Sequence, residues 1–250
     1  MQGSAQWHAD RDSRVVRGSE ASLCLNLMPD SQAHYEQRRT PIPAYLADHG
    51  KAREPEALQY VRCLLPDECV WTCGFCPLPD DPERVGASPD ALTLNAVVEI
   101  KAPYHLRYDT AYCWPCIPVE RVVQLELEMR CTRRTHTYYV LYFRRDDEHA
   151  PRVLVFLYER NDALWCEFIA PRLRLFIEAR ATGWSWDAFR AVAGPRALCR
   201  RLAAAYSRPA HLIHASHHLD PQAVGSWTAS EPDAVERAVL ARNETSHTCT

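Results

Sequence analysis

Asp90, Glu99 and Lys101 have the residue types and the spacing needed to hydrolyse a phosphate ester. They lie in the segment VGASPDALTLNAVVEIKAP, residues 85–103, where Glu99 follows Asp90 by nine positions. Side chains alternate along a strand, so Glu99 and Lys101 share one face, and a hairpin would bring Asp90 beside Glu99. Two carboxylates are hard oxygen ligands that suit Mg²⁺ or Mn²⁺. Such a cation could activate a water and neutralise the phosphate, while Lys101 orients the attacking water.

The residues around this pattern make it more specific. An acidic residue followed by Glu-x-Lys is by itself a weak signal, because a solvated strand edge can carry the same residues. Here Val97, Val98 and Ile100 predict a largely buried strand, and burial of Glu99 and Lys101 requires a reason. The chain also uses lysine for only two of its 29 basic residues, which indicates a specific role for the lysine in this strand.

The elements that must position these residues follow from periodicity and turn signals. Residues 91–94 and 96–101 are predicted to form a hairpin with Asn95 in the turn. Residues 119–131 are predicted to be a helix in which Glu120, Gln124 and Glu128 share one face. The other predicted helices are 23–27, one from about 44, one starting at Glu54-Pro55 and running to 65, 162–180, and one ending near 206. The other predicted strands are 70–75, 138–143 and 153–158. We therefore expect an α/β fold with a central mixed β-sheet flanked by helices.

Length and composition predict one catalytic domain. We assign residues 1–206 to it, with a catalytic core at about 44–180, and expect a loosely ordered tail at 207–250, which is rich in His, Ser and Ala without a sustained period. No apolar run approaches the roughly 20 residues that span a bilayer, and the N-terminus lacks a signal-peptide core. We expect a soluble intracellular protein of the cytoplasm or nucleus, with no membrane partner.

The charge of the chain is unevenly distributed. The formal net charge is −3, which argues against a protein that coats nucleic acid. Residues 1–100 carry a net charge of −6, residues 101–206 carry +5, and residues 207–250 carry −2. The middle third is therefore the part predicted to face a polyanion such as DNA.

The block GASPD…VEIKAP resembles the signature of the lambda-exonuclease family of PD-(D/E)xK nucleases. That family includes YqaJ-type phage recombinases and herpesvirus alkaline nucleases. Three other segments resemble the family in the same order: Trp7 to Glu20, the helix that contains Glu54, and the helix that contains Gln124. The resemblance covers roughly residues 7–180. Departures are Ala91 in place of a glycine, Glu126 in place of a second glutamine, and an insertion around 14–17.

The resemblance implies a restriction-endonuclease-like core, two-metal hydrolysis with Mg²⁺ or Mn²⁺, and 5′ to 3′ degradation of duplex DNA from an end. It also implies work in recombination or viral DNA processing, with a single-strand annealing protein as a partner and a homo-oligomeric assembly as an option. The implied metal ligands are Asp90, Glu99, Ile100 and Glu54, and the implied phosphate-binding residues are Arg11 and Ser19. Gln124 is implied to lie beside the catalytic residues Asp90, Glu99 and Lys101.

Alternatives remain open at several of these positions. Glu54 could be a carboxylate favoured by a helix N-terminus, and Gln124 could be a solvated residue on a helix face. The enzymatic rival is an endonuclease or RNA-cleaving relative. The non-enzymatic rival is a degenerate member that binds nucleic acid or a partner without cutting.

The cysteines offer a separate metal hypothesis. Eleven cysteines in a chain long enough to bury a full core are expected to be reduced thiols. Two CxxC pairs, Cys73 with Cys76 and Cys113 with Cys116, could supply four thiolates to a structural zinc. The long separation between the pairs argues against it, because two loops would have to converge.

Overall fold

The computed structural model describes residues 4–38, 43–103, 117–144, 151–206 and 210–216. Its N-terminal elements are α1 (Ala5–Asp12), β1 (Val16–Arg17), a 3₁₀ turn (Gly18–Glu20), α2 (Ala21–Cys24), α3 (Ser31–Tyr35) and α4 (Ala44–Leu64). They are followed by β2 (Cys76–Pro77), β3 (Val85–Ala87), β4 (Ala91–Leu92), β5 (Ala96–Lys101), α5 (Val119–Thr132), β6 (His136–Phe143) and β7 (Arg152–Glu159). The chain continues with α6 (Asp162–Leu164), a π-helical segment (Trp165–Ile169), α7 (Ala170–Ala181), α8 (Trp186–Ala193), α9 (Arg196–Tyr206) and β8 (His211–Ala215).

The main sheet is mixed and has the strand order β4–β5–β6–β7–β8. Strand β5 pairs antiparallel with β4 and parallel with β6, so α5 is part of the crossover that joins β5 to β6. Strand β7 pairs antiparallel with both β6 and β8. The predicted class, a mixed sheet flanked by helices, is confirmed, and so are the β4–β5 and β6–β7 hairpins.

The alternation of side chains along β5 assigns its residues to two cores. Val98 and Ile100 pack in the cluster that contains Leu58 and Val61 of α4. Val97 packs in the larger cluster, which contains apolar residues of α5 and of the helices after β7. Glu99 and Lys101 are two and four residues after Val97, so their side chains point to the same face of the sheet as Val97. This is the face that α5 covers. The sheet therefore places the catalytic candidates next to α5.

A second, smaller sheet attaches the N-terminal segment to the chain just before Asp90. Its order is β1–β3–β2, with β1 parallel and β2 antiparallel to β3. Gly18, the residue after β1, packs closely against β3. A Cβ atom added to Gly18 would lie only 3.0 Å from the Cβ of Ala87. The sequence did not predict β1 or β3, because runs of two or three residues carry no measurable period.

The helices after β7 bury an aromatic cluster. Tyr35, Phe176, Trp186 and Phe189 are buried and have ring centroids 5.1–5.8 Å apart. Ser185 caps α8 by accepting from the Ala188 amide. Gly194, with a φ of 90°, ends α8, and Pro195 precedes α9. The single helix predicted to end near residue 206 is therefore two helices.

Two other predictions from the sequence are wrong in part. A new helix does not start at Glu54-Pro55, because α4 runs unbroken from Ala44 to Leu64 with Pro55 inside it. A proline inside a helix costs a hydrogen bond, and burial of Ala57 and Val61 against the sheet opposes that cost. The predicted strand at 70–75 is reduced to one bridge, between Trp71 and Leu92.

The segment expected to be loosely ordered contains the strand β8. Residues 211–215 pair with the edge of β7, the Val153 amide donates to Ser216 Oγ at 3.1 Å, and Tyr60 Oη lies 2.8 Å from His214 Nε2. Strand β8 forms because the edge of β7 offers unpaired backbone N–H and C=O groups. Such a pairing leaves no periodic pattern in the sequence of residues 211–215. Residues 217–250 lie outside the described residues. None of the described helices combines the length and apolar character needed to cross a membrane.

Candidate active site

The β4–β5 hairpin brings Asp90 beside β5. Ala91 pairs with Val98 in the antiparallel register, and Asp90 Oδ2 accepts a hydrogen bond of 2.7 Å from the amide of Ile100. The carboxylate is thereby held against the β5 backbone at Ile100, where the charges of Glu99 and Lys101 act on its pKa. The hairpin predicted to bring Asp90 beside the strand of Glu99 is therefore present.

Glu99 is the buried centre of a hydrogen-bonded group. Its side chain is 3% exposed, and its Oε1 accepts from the Nζ of Lys101 and, at 2.6 Å, from Nε2 of Gln124. Gln124 reaches it from α5, which packs on this face of the sheet. Gln124 is itself buried, so the alternative of a solvated helix-face residue is wrong.

Glu128 is a further acidic residue of this site that the sequence analysis did not assign. Gln124 Nε2 also donates to Glu128 Oε1 at 2.7 Å. The other carboxylate oxygen of Glu128 is buried and has no hydrogen-bond partner among the described residues. Because Glu128 follows Gln124 by four residues, the two share one face of α5. This spacing is the signal in the sequence that could have identified Glu128.

The pKa shifts show that the site concentrates negative charge. Burial, followed by the charge of Glu99, raises the pKa of Asp90 well above its usual range. The same two causes raise the pKa of Glu128, with partial opposition from the Gln124 hydrogen bond. Burial acts to lower the pKa of Lys101, but the charges of Glu99 and Asp90 act against it and its pKa is raised. The lysine is therefore a cation among carboxylates that repel one another.

Glu54 approaches this group from α4. Burial and then the charge of Glu99 raise its pKa, while Lys101 and Lys51 act to lower it. Glu54 lies in the middle of α4 and not in its first turn, so a helix N-terminus does not account for a carboxylate here. The structure thus brings Glu54 into the electrostatic neighbourhood of Glu99.

The donor set fits a divalent cation that keeps several water ligands. Among the residues that the structure describes, no three His, Cys, Asp or Glu side chains form a group that could hold a metal ion. Mg²⁺ is commonly bound by one or two carboxylates together with waters and substrate phosphates. Asp90 and Glu99 meet that need, and Ile100 can add only its backbone carbonyl, since its side chain is apolar.

The N-terminal segment lies against the turn that carries Asp90. Trp7 Nε1 donates to Ser88 Oγ at 3.0 Å, and the guanidinium of Arg11 lies 5.0 Å from the centroid of the Trp7 ring. Burial and then the charge of Arg17 lower the pKa of Arg11. The contact of Trp7 with Ser88 therefore places Arg11 close to the turn that carries Asp90.

Ser19 is exposed in the turn that follows β1. Its neighbour Gly18 approaches Glu128 closely, since a Cβ on Gly18 would lie 3.6 Å from Glu128 Oε1. The turn therefore borders the carboxylate group, and its serine is accessible to a ligand.

Tyr139 is a second residue of this region that the sequence did not indicate. It is the register partner of Glu99 on β6 and is completely buried, and its hydroxyl has no hydrogen-bond partner in the described structure. Burial raises its pKa to about 12, opposed by the charges of Arg121 and Lys101. The sequence carries no signal for this residue, because a tyrosine in a strand usually packs in the core.

The first cysteine pair lies behind Asp90. Cys73 donates to the carbonyl of Pro89 at 3.3 Å, and its hydrogen bond with Cys76, followed by burial, raises the pKa of Cys73. Cys113 and Cys116 lie outside the described residues, so zinc binding by the two pairs stays a prediction.

Comparison with known proteins identifies a shared fold. No protein-family model matches this chain, and no curated protein sequence matches it significantly. Among solved structures, it is similar to the alkaline exonuclease LHK-Exo from Laribacter hongkongensis, with 23% sequence identity and a TM-score of 0.59. That match covers 76% of this chain and 98% of that chain. The structure of LHK-Exo in complex with dAMP gives 22% identity, a TM-score of 0.60 and the same coverage.

Proposed function

We propose that this chain is a divalent-metal-dependent DNA exonuclease with a restriction-endonuclease-like core, acting 5′ to 3′ on duplex ends. The observation that carries the proposal is the buried group in which Asp90 and Glu99 lie together, with Lys101 bonded to Glu99 and Gln124 holding the same oxygen. Support for the DNA substrate comes from the fold shared with an alkaline exonuclease.

The residues fit Mg²⁺ or Mn²⁺ as cofactor. Asp90, Glu99 and the carbonyl of Ile100 would be ligands of the first ion, and Glu54 would contribute to the binding of a second ion. When bound, such ions supply neutralisation of the scissile phosphate and a water of lowered pKa. The raised pKa of Asp90 supports this assignment, because carboxylates that repel one another are relieved by a bound cation.

The side chains of this chain have separable roles. Lys101 donates hydrogen bonds to the attacking water, and its contact with Glu99 keeps the ammonium in place. Gln124 fixes the orientation of the Glu99 carboxylate. Arg11 and Ser19 bind the phosphate next to the cleaved bond, which the position of Trp7 beside Ser88 supports.

The biological setting follows from the sequence resemblance and rests on it. We propose that the enzyme processes DNA for recombination or viral replication, inside the cell. A single-strand annealing protein would bind the strand that remains. A homo-oligomer would keep the enzyme on one duplex.

The test is digestion of a linear duplex labelled at either its 5′ or its 3′ end. Wild type and Lys101→Ala are compared with Mg²⁺, with Mn²⁺ and with EDTA, and a closed circular duplex and a single-stranded RNA of the same sequence are added. We expect metal-dependent early release of the 5′ label from wild type, which Lys101→Ala loses.

Each alternative gives a different pattern in the same experiment. Rapid cutting of the closed circle would make the enzyme an endonuclease. Preferential loss of the RNA would change the substrate class. No cleavage with any divalent metal would favour a module that binds nucleic acid without cutting it.

A further inference from the structure

Four arginines line a surface cavity at the corner where α8 meets α9. The cavity has a volume of about 560 Å³ and lies between this corner and the connection that follows α2. We call it the arginine pocket and define it by Arg190, Arg196, Arg200 and Arg201. No carboxylate is present among the described residues that line it. A cavity with this lining attracts anions.

One arginine of the pocket is anchored, and three remain open to a ligand. Arg200 forms an ion pair with Glu120 and donates to the carbonyl of Leu27 at 3.1 Å. Arg190, Arg196 and Arg201 are exposed. In the described part of the chain they form no ion pair, so no carboxylate already neutralises their charge.

The pocket lies beside the candidate active site, at the start of α5. Glu120, which holds Arg200, precedes Gln124 by one helical turn on the same face, about 6 Å along the axis. Gln124 in turn donates to Glu99. The charge of Arg121 also acts on Lys101. The ion pair of Arg200 with Glu120 therefore joins the pocket to α5 one helical turn before the residue that contacts Glu99.

We propose that the arginine pocket binds the phosphate backbone of duplex DNA next to the end that is being cleaved. Guanidinium groups match phosphate oxygens in a bidentate geometry, and several unpaired arginines in a row can hold successive phosphates. The four arginines lie in residues 101–206, which carry a net charge of +5, whereas residues 1–100 carry −6. This inference rests on the proposed function, and it adds the surface that holds the substrate.

The test measures binding of a labelled blunt duplex by fluorescence anisotropy in EDTA, so that no cleavage occurs. The pocket variant is Arg196→Gln with Arg201→Gln. The control variant is Arg62→Gln with Arg133→Gln, which removes the same charge. Arg62 and Arg133 are also exposed, and Arg133 lies about 20 Å along α5 from Glu120. Circular dichroism checks that both variants are folded.

We expect the pocket variant to bind the duplex at least about tenfold more weakly at about 100 mM NaCl than the control variant does. The slope of log K against log [NaCl] should fall in magnitude by about 2, one unit for each phosphate contact removed. In cleavage assays with Mg²⁺, the pocket variant should show a larger increase in KM than decrease in kcat.

Other outcomes separate this inference from the proposed function. If wild type cleaves DNA while the pocket and control variants bind it equally, the pocket is not a DNA site and the proposed function stands. If the pocket variant loses affinity for the duplex but wild type cleaves no DNA with any metal, the binding site stands and the nuclease proposal fails. If the pocket variant loses affinity only for dAMP, measured by calorimetry, the pocket holds a mononucleotide and the inference is overturned.

Discussion

Glu99 and Glu128 accept hydrogen bonds from the same amide nitrogen, that of the Gln124 side chain, at 2.6 and 2.7 Å. The two acids lie on different elements, Glu99 on β5 and Glu128 on α5. Because Gln124 joins them, a change at Glu128 alters the position of Glu99 without removing a group that would touch the substrate. Glu128 is therefore expected to be a positioning residue.

Glu128→Gln is predicted to lower kcat by about 10- to 100-fold, the usual effect of losing a partner that orients a ligand. The amide that replaces the carboxylate can accept from Gln124 only in one of its two orientations, so Glu99 is held less firmly. Single-turnover cleavage of a linear duplex measures the change. Glu178→Gln, on the exposed face of α7, is the matched control and should behave like wild type.

A KM effect with unchanged kcat would contradict this role, because it would mean that Glu128 acts on substrate binding. Recovery of activity in Glu128→Asp, compared with Glu128→Gln, would show that the negative charge matters more than the length of the side chain.

Asp90→Asn and Glu99→Gln are predicted to abolish cleavage and to leave the fold intact. Asn can still accept from the Ile100 amide, so the hairpin is kept while a metal ligand is lost. Asp90→Asn should be at least as thermally stable as wild type in EDTA, since it removes a buried carboxylate that its neighbours repel. Glu99→Gln should be less stable, since it leaves the ammonium of Lys101 without its ion-pair partner. Nuclease assays and thermal unfolding in parallel measure the two effects, and cleavage by either variant would refute the assignment.

Addition of Mg²⁺ or Mn²⁺ is predicted to stabilise the wild-type protein and to have no effect on Asp90→Asn. An ion that binds only the folded state adds about 2.7 kcal/mol to the free energy of unfolding at a hundredfold excess over Kd. Tm measured against metal concentration gives this gain without any dependence on activity. Equal shifts in wild type and variant would place the ion at another site.

The sequence predicted the parts of the site that depend on local rules. Strand alternation gave the shared face of Glu99 and Lys101, and the turn at Asn95 gave the hairpin that delivers Asp90. Helical periodicity gave the face of α5 but not how deeply Glu128 is buried, because burial depends on which elements cover that face. Depth of burial is a property of the tertiary structure.

Other features depend on partners that are distant in sequence. Strand β8 exists because β7 leaves an edge open, and α4 continues through Pro55 because its later turns pack on the sheet. The approach of Gly18 to Ala87 likewise joins segments about 70 residues apart. None of these contacts leaves a period or a motif in a single sequence.

Two glycine substitutions are predicted to change stability in opposite directions. Gly18→Ala should lower the free energy of unfolding by about 1 kcal/mol or more, because its Cβ would lie 3.0 Å from the Cβ of Ala87, which cannot rotate away. Gly50→Ala should raise it by about 0.5–1 kcal/mol, because Gly50 lies inside α4 with open space around the new methyl. Urea unfolding measures both, and a stabilising Gly18→Ala would contradict the packing of the turn.

Glu126 is predicted to make the stability of the protein depend on pH near neutrality. It is completely buried on α5, where its Oε1 accepts from the Tyr158 hydroxyl at 2.8 Å and from the Asn161 amide at 2.7 Å. Burial raises its pKa from 4.5 to about 7, and these two hydrogen bonds oppose the rise. Between these two values the folded protein keeps a proton that the unfolded chain has released.

The free energy of unfolding should therefore be highest below about pH 4.5 as far as Glu126 contributes, and should fall by up to about 3 kcal/mol as the pH rises through 7. Glu126→Gln keeps an acceptor for Tyr158 and Asn161 and cannot titrate, so the difference between variant and wild type isolates this residue. Urea unfolding of both proteins at about pH 5 and about pH 8 measures it. The free energy of unfolding of Glu126→Gln should rise relative to that of wild type between the two pH values. If the difference between the two proteins stayed constant, Glu126 would already be ionised in the folded protein at the lower pH.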